Sequence, residues 1–271
     1  MFDSIRQIFR PRPVAPPPDR PLPAIPAGQR IYAVGDVHGR LDLFNALIQA
    51  VEADDAGRPP AQTTIILLGD LVDRGPDSAG VIAAARSLAE RRSVRMIAGN
   101  HEEMFLNSFS DVDILREFLR FGGRETVLSY PIDPGTYRDL TLEETQGAMH
   151  RVIPAADLDF LRGFEDLIVI GDYVFVHAGI RPGVPLNEQE PRDLRWIRKQ
   201  FVTSDEDFGH CIVHGHTIVE EPEIRTNRIG IDTGAYSSGR LTALALEGTQ
   251  RWFIETQDYE GTISTSVRSC A

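Results

Sequence analysis

Five short apolar runs in this chain each end in a glycine-flanked aspartate, asparagine or histidine. The runs are residues 31–34 before GDVHG, 64–68 before GDLVDRG, 94–98 before GNHE, 173–176 before HAG, and 211–213 before HGHT. In an α/β sheet the ligand site lies beyond the carboxyl ends of the strands. We therefore expect these polar side chains to converge on one site, where the glycines allow the backbone to turn tightly.

Helical patterns separate the first strands and predict an α/β layered domain. Apolar residues recur at helical spacing through 43–51 and 81–88, between the first three apolar runs. Further strand-like runs lie at 167–170, 229–231, 241–246 and 252–254, and residues 103–165 are expected to be a mainly helical insertion or cap. Strands that alternate with helices favour one α/β catalytic domain, which we place at residues 30–271.

Residues 1–29 are expected to be a disordered, proline-rich tail. Eight prolines lie between Pro11 and Pro26, which leaves few backbone donors and no core. The alternative is a weak anchor to a membrane surface or a partner, since Phe2, Ile5 and Ile8 could share one face of a short helix beside Arg6.

Composition restricts the class of function. The net charge is −12 and the pI is about 5.0, which argues against a nucleic-acid partner because that would need a basic face. There are two cysteines and no apolar run near the roughly 18 residues of a membrane span. The start of the chain lacks the order of a secretory signal. We therefore expect a cytoplasmic protein with no stable membrane insertion.

The residue types at the strand ends favour a metal centre. Aspartate, asparagine and histidine suit Mn²⁺, Fe or Zn²⁺ better than a metal that prefers thiolates. Two carboxylates, one amide and three imidazoles are too many for a single open ion, but they suit two ions about 3.5–4 Å apart that share a bridging carboxylate. Burying Asp70, Asp73 and Arg74 of GDLVDRG together would be costly without a function.

These five elements resemble the calcineurin-like metallophosphoesterases. Within that superfamily, VDRG and GNHE resemble the phosphoprotein phosphatase branch, which includes bacterial and bacteriophage lambda serine/threonine phosphatases. The resemblance covers roughly residues 31–248 and implies a layered β-sandwich of two mixed sheets flanked by helices. It also implies two divalent metal ions, with manganese favoured and iron or zinc as alternatives.

The resemblance further implies which residues hold the metals. The first ion would be bound by Asp36, His38 and Asp70. The second would be bound by Asp70, Asn100, His177 and His216, so that Asp70 bridges the two.

Catalytic roles are implied in the same way. His101 resembles the general acid, Asp73 the carboxylate that orients it, and Arg74 a phosphate clamp. A hydroxide bridging the metals would attack in line, without a covalent phosphoenzyme. Arginine binds phosphate oxygens bidentately, which suits this role.

The second phosphate clamp is placed on Arg198, with Arg195 as the competing choice. The alternative is that both arginines simply lie on a surface helix, which Trp196 anchors as its buried residue. Tyr236 is expected to be a substrate-binding pocket residue, and His214 a pocket residue outside the metal ligands.

The sequence therefore predicts a serine/threonine protein phosphatase that acts on a phosphoprotein or phosphopeptide. The alternative is a symmetrical diadenosine tetraphosphate hydrolase or another nucleotide or small-molecule phosphoesterase. Resemblance to the symmetrical hydrolases favours VARG and GNHD, whereas this chain has Asp73 and Glu102 in VDRG and GNHE. A metal-dependent binding module without catalysis would be favoured by a missing ligand, and none is missing.

Overall fold

The computed structural model describes residues 21–270. The strands are β1 (Gln29–Val34), β2 (Gln62–Leu67), β3 (Val94–Met96), β4 (Leu167–Ile170), β5 (Tyr173–Val176), β6 (Cys211–His214), β7 (Glu223–Ile224), β8 (Arg228–Gly230), β9 (Arg240–Glu247), β10 (Gln250–Tyr259) and β11 (Thr262–Ser269). The helices are α1 (Leu41–Ala56), α2 (Ser78–Arg91), α3 (Asn100–Asn107), α4 (Val112–Phe118), α5 (Arg124–Ser129), α6 (Pro134–Tyr137), α7 (Leu142–Val152), α8 (Ala155–Arg162), α9 (Pro191–Trp196), α10 (Lys199–Val202) and α11 (Ala235–Ser238).

Six strands form the first sheet in the order β11-β10-β9-β1-β2-β3. The pairs β1–β2 and β2–β3 are parallel, with α1 and α2 as the crossover helices, whereas β9, β10 and β11 extend the sheet antiparallel. The last five residues of β1 are buried on both faces, as expected for a central strand that alternates its side chains between two apolar layers.

The second sheet has five strands in the order β4-β5-β6-β8-β7. Its pairs β5–β6 and β6–β8 are parallel, and its two outer pairs are antiparallel. Both sheets are therefore mixed. The expected architecture of two mixed sheets flanked by helices is confirmed.

Alternation along the strands builds the layers. Tyr32 and Val34 point into a core shared with α1 and α2, whereas Ile31 and Ala33 point into a core shared with the second sheet. A further apolar cluster, which includes Leu194, Ile197 and Phe201 around α9 and α10, covers the other face of the second sheet. The strand ends of both sheets consequently meet at one edge of the sandwich.

The stretch between β3 and β4 is largely helical. Helices α3 to α8 enclose a core of their own, and a π-helical turn at Leu119–Gly123 joins α4 to α5. Asp111 and Asp77 begin α4 and α2 by accepting backbone N–H groups of the first turn, which is the common way to satisfy helix starts.

Packed structure begins before residue 30. Ile25 is 2% exposed, its N–H donates to the carbonyl of Gly248 over 2.8 Å, and the N–H of Ala24 donates to Asp172. The end of the tail is therefore wrongly placed at residue 29, because an apolar side chain among the prolines fills the core between the sheets. Residues 1–20, which include the possible anchor, lie outside the described residues.

Candidate metal centre

The loops after five strands bring the proposed ligands and catalytic residues to one edge of the sandwich. The loops after β1 and β2 carry Asp36, His38, Asp70, Asp73 and Arg74. Asn100 and His101 begin α3 after β3, while His177 and His216 follow β5 and β6 of the second sheet. The two sheets therefore contribute different parts of one site.

The backbone at this edge is held in an unusual conformation. The φ angles are 46° at His38, 49° at Asp70, 74° at Asp73, 68° at Arg74 and 60° at His216. Residues other than glycine avoid this left-handed region, at a cost of about 1–3 kcal/mol each, and such outliers cluster at functional sites. The surrounding contacts must therefore stabilise these loops in a strained form.

Glu102 supplies those contacts for two of the loops. Its buried carboxylate accepts the N–H groups of Asp70, Leu71 and Val72 over 2.8, 2.7 and 3.4 Å, and that of Gly99 over 3.0 Å. A Cβ on Gly99 would lie 2.5 Å from the backbone nitrogen of Asp70, so these loops touch through their backbones. The sequence analysis missed this anchoring role, although a glutamate at the third position of a helix is half of a known capping signal.

Two groups of buried side chains offer converging ligand atoms. The first is His38, Asp70 and His101, and the second is Asp70, His177 and His216; within each group the ligand atoms lie within 4.8 Å of one another. Asp70 belongs to both groups. Its Oδ2 lies 3.6 Å from Nε2 of His38 and 3.4 Å from Nε2 of His177, which places it between them, as a bridging ligand must be.

Asn100 and Asp36 complete the cluster. Oδ1 of Asn100 lies 3.0 Å from Nε2 of His177, which itself lies 3.2 Å from Nδ1 of His216. The buried carboxylate of Asp36 accepts the N–H of His216 at both oxygens, over 3.0 and 3.2 Å. The structure thus brings all six expected metal ligands together. Burial and the nearby carboxylate of Asp232 raise the pKa of Asp36.

Backbone carbonyls orient the histidines. Nδ1 of His38 lies 2.8 Å from the carbonyl of Val72, and Nδ1 of His177 lies 2.8 Å from the carbonyl of Leu68. A carbonyl accepts only from a nitrogen that carries a proton, so Nδ1 is protonated in both rings, and Nε2, which faces Asp70, is the nitrogen left to bind a metal. This carbonyl–histidine arrangement is the usual support of a metal-bound imidazole.

The donor set fits two divalent cations. Ligand atoms about 2.0–2.2 Å from one ion lie roughly 3–3.5 Å apart, which is close to the spacings found around Asp70 and His177. Burial lowers the pKa of His38 to about 3, which keeps it neutral as a ligand. Burial alone would lower the pKa of His177, but Asp70 and Asp36 raise it to about 10, so the site attracts positive charge.

His101 is held beside this cluster by Asp73. Nδ1 of His101 donates to Oδ2 of Asp73 over 2.6 Å, and the hydroxyl of Thr126 donates to the other oxygen over 2.6 Å. Burial alone would lower the pKa of His101, but Asp70 and Asp73 raise it above its usual value. The other ring nitrogen, Nε2, lies 4.0 Å from Oδ2 of Asp70 and 2.8 Å from the Arg74 guanidinium. Once Arg74 binds phosphate instead, a protonated Nε2 can donate to a leaving group from this position.

Two arginines from different segments each contact histidines of the cluster. The Arg74 guanidinium donates to Nε2 of His38 and of His101, both over 2.8 Å. Nε of Arg198 donates to Nε2 of His216 over 2.9 Å. Arg195, the competing choice, instead pairs with Glu103 and Asp166. The geometry therefore favours Arg198 as the second clamp.

Three further residues considered in the sequence analysis lie outside the two ligand groups. Tyr236 is 37% exposed, and its ring lies 4.7 Å from the Arg74 guanidinium and 5.4 Å from the His38 ring. His214 is buried against Phe201, outside both ligand groups, and its Nε2 has no partner among the described residues. Trp196 is exposed rather than the buried anchor of a surface helix; Leu194 fills that place.

Comparisons with known proteins agree with this geometry. The model of the calcineurin-like phosphoesterase family matches residues 29–237. A relative from Anoxybacillus flavithermus, the asymmetrical bis(5'-nucleosyl)-tetraphosphatase PrpE, is 27% identical over 78% of this chain and 88% of its own length. The relative of the same name from Bacillus velezensis is 28% identical over 77% of this chain and 86% of its own length.

A solved structure with a related fold is that of a proposed diadenosine tetraphosphatase, with a TM-score of 0.57 at 18% identity, over 92% of this chain and 100% of that chain. At this identity the likeness concerns the fold alone. In the described residues, no helix has both the length and the apolar character needed to span a bilayer. Through its match over residues 29–237 and the metal-ligand cluster at its strand ends, the chain belongs to the calcineurin-like phosphoesterase family and is a metallophosphoesterase.

Proposed function

We propose that this chain hydrolyses bis(5'-nucleosyl) tetraphosphates asymmetrically, giving a nucleoside monophosphate and a nucleoside triphosphate. One observation carries the proposal: the exposed ring of Tyr236 lies beside the Arg74 guanidinium at the ligand cluster, so a flat apolar surface adjoins a group suited to bind phosphate. The names of the curated relatives support the substrate class. They favour the nucleotide alternative over the protein phosphatase expected first, with asymmetrical rather than symmetrical cleavage.

The rim of the site suits a nucleoside. Tyr236 lies over Arg74, and the exposed Trp196 donates its indole N–H to Glu103 on α3, directly after the GNHE element. The exposed Ile218 lies two residues after His216. Sites for small ligands combine such apolar walls with a few fixed polar groups, and flat aromatic side chains are suited to contacts with bases.

The two residues that favoured a protein phosphatase are not exposed at the ligand cluster. Glu102 is 1% exposed and binds backbone N–H groups, while Asp73 is fully buried between His101 and Thr126. Side chains placed in this way support the loops and the general acid. They therefore carry little information about which group the phosphate is attached to.

The chain's own residues have distinct tasks in this reaction. Bound divalent ions, for which we propose manganese, supply an activated water and neutralise charge on the phosphate oxygens. Arg74 and Arg198 bind phosphate oxygens from two sides and orient the phosphorus. His101 holds a proton at Nε2 for the leaving group. A leaving phosphate has a pKa of about 6, so it needs this proton less than an alkoxide does.

The test compares two substrates on one preparation. The protein is stripped of metal, reconstituted with Mn²⁺, and assayed for kcat/KM on diadenosine tetraphosphate and on a phosphoserine peptide, with chromatography of the products. We expect faster turnover of the dinucleotide and equal amounts of adenosine mono- and triphosphate. Two equivalents of the diphosphate would indicate symmetrical cleavage instead. Turnover of the phosphopeptide without turnover of the dinucleotide would overturn the proposal in favour of a protein phosphatase.

A further inference from the structure

The π-helical turn at Leu119–Gly123 lies directly on the phosphate-binding loop. The N–H of Arg74 donates to the carbonyl of Gly122 over 2.9 Å. Gly122 has a φ of 109°, and a Cβ there would lie 2.6 Å from Cγ of Arg74. Since only glycine fits both the conformation and the close approach, this turn is built to rest on Arg74.

A second contact fixes the other end of the same segment. The Thr126 hydroxyl donates to Asp73 and accepts the Asp73 N–H, over 2.6 and 2.8 Å. Gly123 packs against the buried ring of Phe118, where a Cβ would lie 2.5 Å from the ring carbons. The segment from Phe118 to Thr126 is therefore fixed at both ends beside the catalytic loop.

The side chain of Phe121, within this turn, is exposed to solvent. It is 47% exposed, whereas the other phenylalanines between residues 21 and 270 are buried or half-buried. Phe118, three residues earlier, is fully buried in the helical core. The turn and Gly122 therefore leave Phe121 in solvent, one residue from the backbone that touches Arg74. A Cα–Cα step is about 3.8 Å, so the backbone of Phe121 lies one step from the carbonyl that binds the Arg74 N–H.

Two exposed arginines lie on either side of Phe121 in the sequence, in a chain whose net charge is −12. The Arg120 guanidinium lies 5.9 Å from the centre of the Phe121 ring, and Arg124 follows three residues later. Both arginines are exposed, and their acidic partners, Glu117 and Glu125, are also on the surface. Such pairs contribute little to stability, so these cations remain available to a polyanion.

We infer that Phe121 is a stacking platform for a nucleobase of the substrate, with Arg120 and Arg124 beside its phosphates. This inference rests on the proposed function, because it places one nucleoside of the dinucleotide on the α4–α5 side of the site. An exposed ring offers a face to any base, and stacking of this kind tolerates different bases. Phe121 would act on substrate binding and not on the chemical step.

The experiment distinguishes binding of the base from binding of the phosphates. Binding to the manganese-loaded protein is measured by calorimetry with adenosine triphosphate and with inorganic tripolyphosphate, which lacks the nucleoside. The variants are Phe121→Ala, Phe121→Trp as the conservative change, and Tyr259→Ala as the control. Tyr259 is exposed at the end of β10, which pairs with the edge strand β11.

We expect Phe121→Ala to weaken binding of the nucleotide by roughly 5- to 100-fold and binding of tripolyphosphate by less than about twofold. Phe121→Trp and Tyr259→Ala should retain the wild-type preference for the nucleotide. An unchanged preference in Phe121→Ala, or no preference in the wild type, would overturn the inference. Failure of the wild type to hydrolyse diadenosine tetraphosphate would instead defeat the proposed function, so the two failures are distinguishable.

Discussion

Nε of Arg198 donates a hydrogen bond to Nε2 of His216 over 2.9 Å. This contact joins the segment around α9 and α10 to the metal-ligand cluster. Arg195 lies three residues earlier in the chain but pairs with Glu103 and Asp166. Two arginines in one short segment are therefore directed to different tasks.

Arg198→Lys should lower kcat/KM by about 10- to 100-fold, because lysine keeps the charge but loses the planar fork that binds phosphate oxygens. Metal content, measured by elemental analysis, should not change. Arg195→Lys is the matched control and should stay within about threefold of wild type. A silent Arg198→Lys together with a crippled Arg195→Lys would place the clamp on Arg195.

Glu102→Gln should destabilise the loops that carry Asp70 and Gly99. An amide presents one oxygen and an NH2 group to four backbone N–H donors, so some of them lose their acceptor. We expect a loss of about 1–3 kcal/mol in the free energy of unfolding, measured by urea denaturation. Glu103→Gln, at a partly exposed neighbour, should cost much less. Equal stability of the two variants would mean that Glu102 is not the anchor.

His101→Asn should lower kcat in a way that depends on the leaving group. A serine alkoxide needs a proton, whereas a nucleotide phosphate or an aryl phosphate leaves more readily without one. The loss on a phosphoserine peptide should therefore exceed the loss on diadenosine tetraphosphate or an activated aryl phosphate by at least about tenfold. Metal content should be retained. The same loss on all substrates would exclude His101 as the general acid.

Chelation should abolish turnover, and Mn²⁺ should restore it better than Mg²⁺, because histidine ligands suit manganese while Mg²⁺ favours an all-oxygen octahedron. Asp70→Asn should bind less metal and reduce activity to near background, since Asp70 belongs to both ligand groups. Circular dichroism should show that the fold survives. Full activity in excess chelator would contradict the two-metal site.

A chain that begins at Pro21 should be as stable as the full chain, whereas one that begins at Gln29 should be less stable. The second deletion removes Ile25 from the core between the sheets, and burying such a side chain contributes about 1.5–3 kcal/mol. Denaturation of both forms measures the difference. Equal midpoints would show that the contacts of Ile25 contribute nothing measurable.

Much of the fold was predictable because apolar runs mark buried strands. The runs at 167–170 and 173–176 coincide with β4 and β5, and most others lie within a residue or two of the observed ends, although the run at 252–254 covers only part of β10. By contrast, β7 and β11 were missed. β7 has two residues, and β11 is an exposed edge strand of mostly polar residues that is held by its backbone pairing with β10. Neither carries an apolar pattern.

For the site, the residue types and their place after strands indicated which side chains converge. The sequence could not distinguish Arg195 from Arg198, because the two lie less than one helical turn apart and only the packing of α9 and α10 separates them. The capping pattern could indicate the bond between Glu102 and the Gly99 N–H, but not its bonds to residues 70–72, because every residue except proline carries a backbone N–H.

The ligand atoms come from both sheets, and this gives the core between the sheets a further importance. The first sheet supplies Asp70, and the second supplies His177 and His216. Ile66 and Phe175 are among the apolar residues that separate the sheets, and such interiors are close-packed and resist compression. The thickness of this apolar layer therefore sets the distance between the ligands of the first sheet and those of the second. Core residues that do not contact the substrate thus influence the geometry of the catalytic site.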